Sequence, residues 1–133
     1  MVKSLDDFAR SYTAAWCSQN AASVAAHYSP NGSLRINDDE PAVGRAAIME
    51  AAQSFMTAFP DLQVKMDVLR MESGQPEYRW TLLGKNTGPG GTGQKVRISG
   101  FEMWRMGGDG LIAESQGRFD SADYQRQLES GPR

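Results

Sequence analysis

Residues 61–120 read DLQVKMDVLRMESGQPEYRWTLLGKNTGPGGTGQKVRISGFEMWRMGGDGLIAESQGRFD. Apolar or alternating runs are separated here by turn-forming residues such as Ser73-Gly74-Gln75-Pro76 and Gly107-Gly108-Asp109-Gly110. The spacing predicts four consecutive strands, at 62–69, 77–85, 95–106 and 111–119. Because strands joined in series by hairpins pair antiparallel, these four should form one sheet. Residues of alternate number share a face of a strand, so one parity in each strand must line any pocket.

Three helices are predicted before the strands. The first carries an apolar stripe that includes Tyr12 and Trp16, and Ser4 is placed to cap it. The segments predicted upstream of the sheet are a helix to about Ser18, a helix at 21–28 capped by Asn20, a turn at 30–32, a short strand at 33–36, a polar loop at 37–41 and a helix from 44 to 59. Asp120 is predicted to cap a last short helix that runs to about Leu128.

Helices followed by a run of strands indicate an α+β fold. A long sheet twists strongly, so it should curve around the helices rather than stay flat. We therefore expect residues 1–133 to form a single domain, a cone-shaped half-barrel in which a curved antiparallel sheet wraps around three N-terminal helices, with a short C-terminal helix. The open mouth of the cone is the natural place for a pocket.

Composition excludes several classes of partner. The chain has 14 basic and 16 acidic residues, and neither sign forms a block, so nothing predicts binding to nucleic acid. No apolar run approaches the length of about 20 residues that spans a bilayer, so no membrane partner is expected. The single Cys17 excludes an intramolecular disulfide, and residues 1–10 are too polar for a signal peptide. A soluble, cytoplasmic protein is the expectation.

The order of elements resembles that of the SnoaL-like polyketide cyclases. The resemblance is carried by the segments GRAAIMEAAQSFMTAFPDL, YRWTLLGKNTGPGGTG and VRISGFEMWRMGGDGLIAESQGRFD. These cyclases belong to the superfamily named for nuclear transport factor two, which also includes ketosteroid isomerase. The resemblance implies the cone-shaped fold, but it says less about chemistry, because one fold serves many reactions.

Matching positions imply which catalytic groups are present. The resemblance to ketosteroid isomerase places Tyr12 and Glu102 where that enzyme has its two donors to the substrate oxyanion. The base of the isomerase corresponds to Ile36 or its neighbours Asn37 and Asp38, and isoleucine cannot accept a proton. The histidine and aspartate of the cyclases correspond to Ser115 and Gly117. Both familiar bases are therefore missing.

Parity then gives a set of candidate pocket residues. If Glu102 points inward, Gly100 and Trp104 share its face, and a matching set follows on the preceding strand. On the last strand, the resemblance to the cyclases implies which set faces inward. Glu102 and Tyr12 are the candidate catalytic residues. The candidate substrate-binding residues are Trp16, Met56, Phe59, Tyr78, Trp80, Leu82, Trp104, Ser115, Gly117 and Phe119. This mostly aromatic composition suits a small, flat, hydrophobic ligand that bears a carbonyl or hydroxyl group.

The same residues have a purely structural interpretation. The aromatic side chains could simply fill the interior as a solid core. A buried Glu102 must be either protonated or paired with an arginine, for which Arg79, Arg97 and Arg118 are the candidates. Asp120 is explained by capping, and the lone His27 is more typical of a helix end than of a catalyst.

No metal or cofactor is predicted. One histidine and one cysteine do not make a ligand set. Gly88, Gly90 and Gly93 match a GxGxxG pattern, but no helix follows to hold a phosphate, so the segment is interpreted as a hairpin loop that could cover the pocket mouth.

Two functions remain open. The chain is either a cyclase- or isomerase-type enzyme acting on a small hydrophobic carbonyl compound, or a noncatalytic domain of the same fold that binds a small hydrophobe or serves dimeric assembly. The resemblance also implies a homodimer through the outer face of the sheet. Four methionines are candidates for apolar contacts on that face: Met66, Met71, Met103 and Met106.

Overall fold

The computed structural model describes residues 4–132, which form four helices and six strands. The elements in chain order are α1 (Leu5–Cys17), α2 (Ala21–Ala25), β1 (Tyr28–Ile36), β2 (Ala42–Val43), α3 (Arg45–Ala58), β3 (Gln63–Glu72), β4 (Gln75–Lys85), β5 (Lys95–Met106), β6 (Ile112–Phe119) and α4 (Ser121–Ser130). The four predicted long strands and the four predicted helices are all present.

The strands form one curved sheet that does not close into a barrel. Its order is β2-β1-β6-β5-β4-β3, and β3 to β6 pair antiparallel as successive hairpins. The predicted α+β half-barrel is thereby confirmed. The pairing of β1 with β6 is parallel and was not predicted, because it joins segments that lie far apart in sequence.

The predicted boundary between the second helix and the first strand is wrong. α2 ends at Ala25, and β1 already begins at Tyr28. The segment Pro30-Asn31-Gly32, predicted as a turn, lies within β1, where the register with β6 shifts between Tyr28 and Ser33. Such an irregularity can accommodate a proline, which has no N–H for the ladder. A Cβ at Gly32 would lie 2.8 Å from the carbonyl oxygen of Ile112, so glycine permits this close approach.

The predicted alternation along β3 holds only for its first half. The register with β4 shifts between Met66 and Val68, so one extra residue is inserted and the parity of the strand reverses. Leu69 consequently packs against the core, whereas Val68 is 44% exposed. The bulge was not predicted because nothing in the local pattern marks it.

The helix caps follow the sequence predictions. Ser4 Oγ accepts a hydrogen bond from the backbone N–H of Asp7 at 3.0 Å. Asn20 Oδ1 accepts from the N–H of Ala22 at 3.1 Å. Asp120 Oδ1 likewise accepts from the N–H of Asp123 at 3.0 Å, so the carboxylate of Asp120 acts as the cap of α4.

The core lies between the inner face of the sheet and helices α1 to α3. Its largest buried side chains include Tyr12, Trp104 and Phe59. Met66 and Met106 also pack against this core, so their predicted placement on the outer face is wrong. Within residues 4–132, no helix combines the length and the apolar character needed to cross a membrane.

Candidate functional site

Glu102 projects from the middle of β5 into the interior of the cone. It is only 7% exposed, and its strand partners are Tyr78 on β4 and Gly117 on β6. Residues of the same parity on β5, such as Ile98 and Trp104, are also buried. The side chain of Glu102 therefore points inward, as the candidate site requires.

Three neutral donors converge on one oxygen of Glu102. Its Oε1 accepts hydrogen bonds from Ser115 Oγ at 2.8 Å, Trp104 Nε1 at 2.9 Å and Tyr12 Oη at 3.0 Å. Oε2 has a weaker contact, 3.3 Å from Tyr12 Oη. A carbonyl oxygen only accepts hydrogen bonds, whereas a protonated oxygen must donate one. A carboxylate and a neutral acid can both accept three bonds at Oε1, and in the neutral acid the pattern places the proton on Oε2, the oxygen with the weaker contact.

The surroundings of Glu102 favour this neutral form. Burial raises the pKa of the Glu102 carboxyl, and the hydrogen bonds from Trp104, Ser115 and Tyr12 oppose that shift only in part. In the described part of the chain, no cation lies within ion-pair distance of Glu102.

The three arginines predicted as possible partners of Glu102 do not pair with it. Arg79 Nε donates to Glu77 at 2.7 Å, and Arg118 Nη1 donates to Asp38 at 3.0 Å. Arg97 has an exposed side chain on the outward parity of β5, opposite to that of Glu102. Of the two expected explanations for a buried Glu102, protonation is the one that the geometry supports.

Tyr12 lies behind Glu102, within the packed core. Its hydroxyl contacts Tyr28 Oη at 2.8 Å in addition to Glu102, and its ring meets Trp104 edge-on at a centroid distance of 5.3 Å. Burial, followed by the proximity of Glu102, raises the pKa of Tyr12 well above its ordinary value, so the phenol stays protonated. Tyr12 is therefore positioned to hold Glu102 rather than to touch a ligand.

A cavity of about 60 Å³ lies on the other side of Glu102. Its predicted lining residues are Trp16, Tyr78, Trp80, Leu82, Glu102, Gly117 and Phe119. It also has lining residues that were not predicted: Leu34, Ile36, Phe55, Val64, Ile98, Arg118 and Tyr124. Among these described residues Glu102 is the only carboxylic acid, and Arg118, which pairs with Asp38, is the only cation. The other lining residues are apolar or aromatic.

Five predicted site residues do not line the cavity. Tyr12, Met56, Phe59, Trp104 and Ser115 lie in the buried interior around it. Phe59 packs instead against Tyr124, with ring centroids 6.4 Å apart. The interior is thus divided into a solid aromatic core on one side of Glu102 and a cavity on the other.

Some of the lining residues missed by sequence analysis follow strand parity, and one comes from the last helix. Val64 and Ile98 follow the inward parity of their strands, so extending that pattern would have found them. Tyr124 comes from α4, where it contacts Phe119 at a centroid distance of 5.6 Å. Only the docking of α4 against the sheet brings it there.

The positions where related enzymes have a base provide none here. Ile36 lines the cavity with an apolar side chain, and Asn37 Oδ1 accepts from the N–H of Phe119 at 3.0 Å. Asp38 has a largely exposed side chain and pairs with Arg118. His27 is held between Ser11 Oγ at 2.9 Å and the carbonyl oxygen of Ser23 at 2.8 Å. Nothing else in the lining can serve as a carboxylate or imidazole base.

The glycine-rich loop after β4 packs against the end of α3. The N–H of Gly88 and the side-chain amide of Asn86 both donate to the carbonyl oxygen of Ala58, at 3.2 and 3.0 Å. No residue of this loop lines the cavity in the structure. Among residues 4–132, no three histidine, cysteine, aspartate or glutamate side chains are grouped as a metal site.

Comparisons with known proteins agree with this architecture. The family model described as SnoaL-like polyketide cyclase matches residues 6–128. AclR from Streptomyces galilaeus is 24% identical with a TM-score of 0.77, and the match covers 96% of each chain. TsrD from Streptomyces laurentii is 18% identical with a TM-score of 0.79, again over 96% of each chain.

A third solved structure is that of SalBIII, described as an epoxide hydrolase/cyclase-like enzyme in pyran ring formation in the polyether salinomycin. It is 16% identical with a TM-score of 0.75, over 89% of this chain and 92% of SalBIII. At these identities the likeness shows the fold alone. No curated protein matches the chain.

Proposed function

Because this chain belongs to the SnoaL-like polyketide cyclase family, we propose that it is a cyclase- or isomerase-type enzyme acting on a small hydrophobic carbonyl compound. The observation that supports this function is a buried carboxyl group, that of Glu102, in the wall of a cavity lined mainly by apolar and aromatic side chains, and burial raises the pKa of this group. A buried acid that keeps its proton can donate a hydrogen bond, or the proton itself, to a substrate oxygen.

The hydrogen bonds at Glu102 suit a general acid. With Oε1 occupied by Tyr12, Trp104 and Ser115, the proton on Oε2 is the one available to a ligand. If that proton moves to a carbonyl oxygen, the same three donors stabilise the carboxylate that remains. Tyr12 is then a positioning residue, and Glu102 is the catalytic residue.

The elementary step is enolisation. The Oε2 proton passes to the carbonyl oxygen, a water molecule at the mouth accepts a proton from the α carbon, and the electrons of that C–H bond form the carbon–carbon double bond of the enol. The carbonyl π electrons become the new O–H bond. The protonated water then returns a proton to Glu102, which regenerates the acid. An enol formed in this way is the nucleophile needed for ring closure onto a second carbonyl group.

The size of the cavity limits the substrate. Its volume of about 60 Å³ is smaller than the roughly 150 Å³ of an apolar cavity that holds benzene. A ligand with an aromatic ring must therefore extend through the mouth or displace side chains of the lining. The lining favours an uncharged molecule, because a charged group beside the neutral Glu102 would be buried without an ionic partner, which is costly.

Deuterium exchange into acetophenone tests the reaction. Incubation in deuterium oxide, followed by proton NMR of the methyl signal, should show exchange above the buffer rate with the wild-type protein. Glu102→Gln keeps the size and the acceptor oxygen but removes the acidic proton, so exchange should fall by at least about 100-fold toward the buffer rate. The matched control is Glu77→Gln, which should retain exchange. Glu77 is the other buried glutamate of the described chain and lies on the outer face of the sheet. Equal rates for Glu102→Gln and wild type would exclude the mechanism.

A noncatalytic binding domain is the second candidate. It is favoured by the residues at the positions where related enzymes have a base: Ile36 and Gly117 line the cavity, Ser115 lies in the interior beside it, and none of the three can accept a proton as a carboxylate or an imidazole does. A titration with acetophenone, combined with the deuterium-exchange measurement, distinguishes the enzyme from the binding domain. The binding domain predicts saturable binding of acetophenone without exchange of its methyl protons.

We further propose a homodimer formed through the outer face of the sheet. Met103 follows the outward parity of β5, and Val68 on β3 is 44% exposed. Sedimentation equilibrium at micromolar concentration should give twice the mass of 14.6 kDa, and a single-chain mass would refute the dimer. A cytoplasmic location stays a proposal from the sequence, which cell fractionation can test.

A further inference from the structure

Trp80 has the one buried side-chain polar atom among residues 4–132 for which the protein supplies no hydrogen-bond partner. This atom is the indole Nε1, a group that can only donate. A buried N–H without an acceptor is unfavourable, and native proteins rarely retain one without a reason. Trp80 lines the cavity while its Nε1 is closed to solvent, so a ligand that displaces side chains of the lining can supply the acceptor.

The register of the sheet places Trp80 beside Glu102. Trp80 is paired with Gly100, two residues before Glu102 on β5, and both side chains have the inward parity. Such diagonal neighbours have Cα atoms about 7–8 Å apart, and long side chains can approach more closely than that. One small ligand can therefore contact both residues.

Gly100 directs the indole ring toward β5. A Cβ at Gly100 would lie 2.7 Å from Trp80 Cζ2, so the ring occupies the space that a side chain would fill. Cζ2 and Nε1 lie along the same edge of an indole, so the N–H edge of Trp80 faces the strand that bears Glu102. The ring of Phe119 covers this region, with its centroid 6.0 Å from that of Trp80.

The other two tryptophans do not share this property. Trp104 Nε1 donates to Glu102, and Trp16 Nε1 is not an unpartnered buried donor. Trp80 is therefore singled out by its hydrogen bonding and not only by its position in the lining.

Building on the proposed function, we propose that Trp80 Nε1 is a second ligand donor of the cavity and that the physiological ligand is an uncharged molecule with two oxygen acceptors, one for Glu102 and one for Trp80. A diketone or keto ester meets this requirement, whereas a simple ketone satisfies only one of the two donors. Trp80 then determines specificity, and Glu102 retains the chemical role.

Paired probes test this inference by calorimetry. The wild-type protein should bind meta-diacetylbenzene roughly fivefold more tightly than acetophenone, the change expected from one additional net hydrogen bond. Ortho- and para-diacetylbenzene serve to vary the spacing of the two acceptors. Trp80→Phe keeps an aromatic ring and removes the N–H, so it should abolish the preference. Glu102→Gln should weaken the binding of both acetophenone and the diketone and leave the preference for the diketone in place.

NMR of the wild-type protein provides a readout that does not depend on a variant. The three indole N–H groups of ¹⁵N-labelled protein give separate signals, and the signal absent from Trp80→Phe belongs to Trp80. A diketone should shift the Trp80 signal more than acetophenone does. If no diacetylbenzene isomer is preferred, if the preference persists in Trp80→Phe, or if the Trp80 signal is unmoved, the inference is wrong.

The two proposals fail in different ways. Loss of the enolisation reaction with a retained diketone preference would refute the proposed enzyme and leave Trp80 as a donor of a binding site. Retained exchange without a diketone preference would refute the role of Trp80 alone.

Discussion

Two glutamates on neighbouring strands are buried to nearly the same degree but lie on opposite faces of the sheet. Glu77 on β4 is 5% exposed and Glu102 on β5 is 7% exposed. Glu77 on the outer face accepts from Arg79 Nε at 2.7 Å and from Arg70 Nε at 2.9 Å. Glu102 on the inner face accepts only from neutral hydroxyl and indole groups.

The pKa values of the two carboxyls shift in opposite directions as a result. The hydrogen bond from Arg79 lowers the pKa of Glu77, with Arg70 adding to the effect, whereas burial raises the pKa of Glu102. The arginines can serve the outer face because their side chains stay about half exposed to water. A similar exposed fraction therefore does not give a similar pKa: Glu77 lies close to the surface beside two arginines, whereas Glu102 lies deep in the cone among neutral groups.

The largest expected effect comes from removing the acceptor at the inner site. Glu102→Leu leaves Tyr12, Trp104 and Ser115 without their shared oxygen and should lower the free energy of unfolding by about 3 kcal/mol at pH 7. Glu102→Gln preserves an acceptor oxygen and should cost about 1 kcal/mol or less. Urea unfolding measures both. A Glu102→Leu variant as stable as wild type would show that the three hydrogen bonds contribute little.

The pH dependence of stability should differ in sign between the two sites. Because folding raises the pKa of Glu102, its contribution is fully present below the ordinary value of 4.5 and is lost as pH rises through the folded pKa. Wild type relative to Glu102→Gln should therefore lose stability with rising pH above 4.5, by at most about 1.4 kcal/mol per pH unit. Urea unfolding across pH 4 to 8 (about one point per half unit) measures the difference. A flat difference would mean that Glu102 is ionised in the fold.

The stability difference between wild type and Glu77→Gln should change with pH in the opposite direction. At pH 7, Glu77→Gln should lose less stability than Glu102→Leu. Folding lowers the pKa of Glu77, so its contribution is present above 4.5 and is lost as pH falls through the folded pKa. The difference between wild type and Glu77→Gln should shrink on acidification. Thermal unfolding at neutral and acid pH checks this, and a difference that grows in acid would contradict the assignment.

The smallest expected effect is that of salt. Arg70 and Arg79 are accessible to ions, so raising sodium chloride from about 0.05 M to about 1 M should reduce the stability difference between wild type and Glu77→Gln. The difference between wild type and Glu102→Gln should stay unchanged, because no charged partner contributes there. Equal salt sensitivity at both sites would contradict the contrast between an ion-paired Glu77 and a Glu102 with neutral partners.

Local sequence patterns predicted most of the fold. Period-two alternation and turn residues located β5 at its observed bounds, Lys95–Met106, and cap chemistry located the beginnings of α1, α2 and α4. Errors arose where the pattern was interrupted, as in β1 around Pro30 and at the bulge of β3. A bulge depends on the partner strand, which no local window contains.

The residues of the candidate site were likewise predicted only in part. Parity on β4, β5 and β6 predicted the lining residues Tyr78, Trp80 and Phe119 together with Glu102. It could not separate cavity from core, so Trp104 and Ser115 were grouped with the lining although both hydrogen-bond to Glu102 from within the interior. Whether a catalytic role follows for any of these residues stays a prediction.

Local sequence patterns specified the strands, the helices and the residues that share a face with Glu102, because a period of two residues is a local property of an extended chain. Tertiary packing decided that Glu102 points inward to three neutral donors and that Tyr124 joins the cavity lining. It also decided that, among residues 4–132, no arginine pairs with Glu102 and no protein group accepts from Trp80 Nε1. Those facts depend on distances between elements far apart in the chain, which packing sets and local pattern does not.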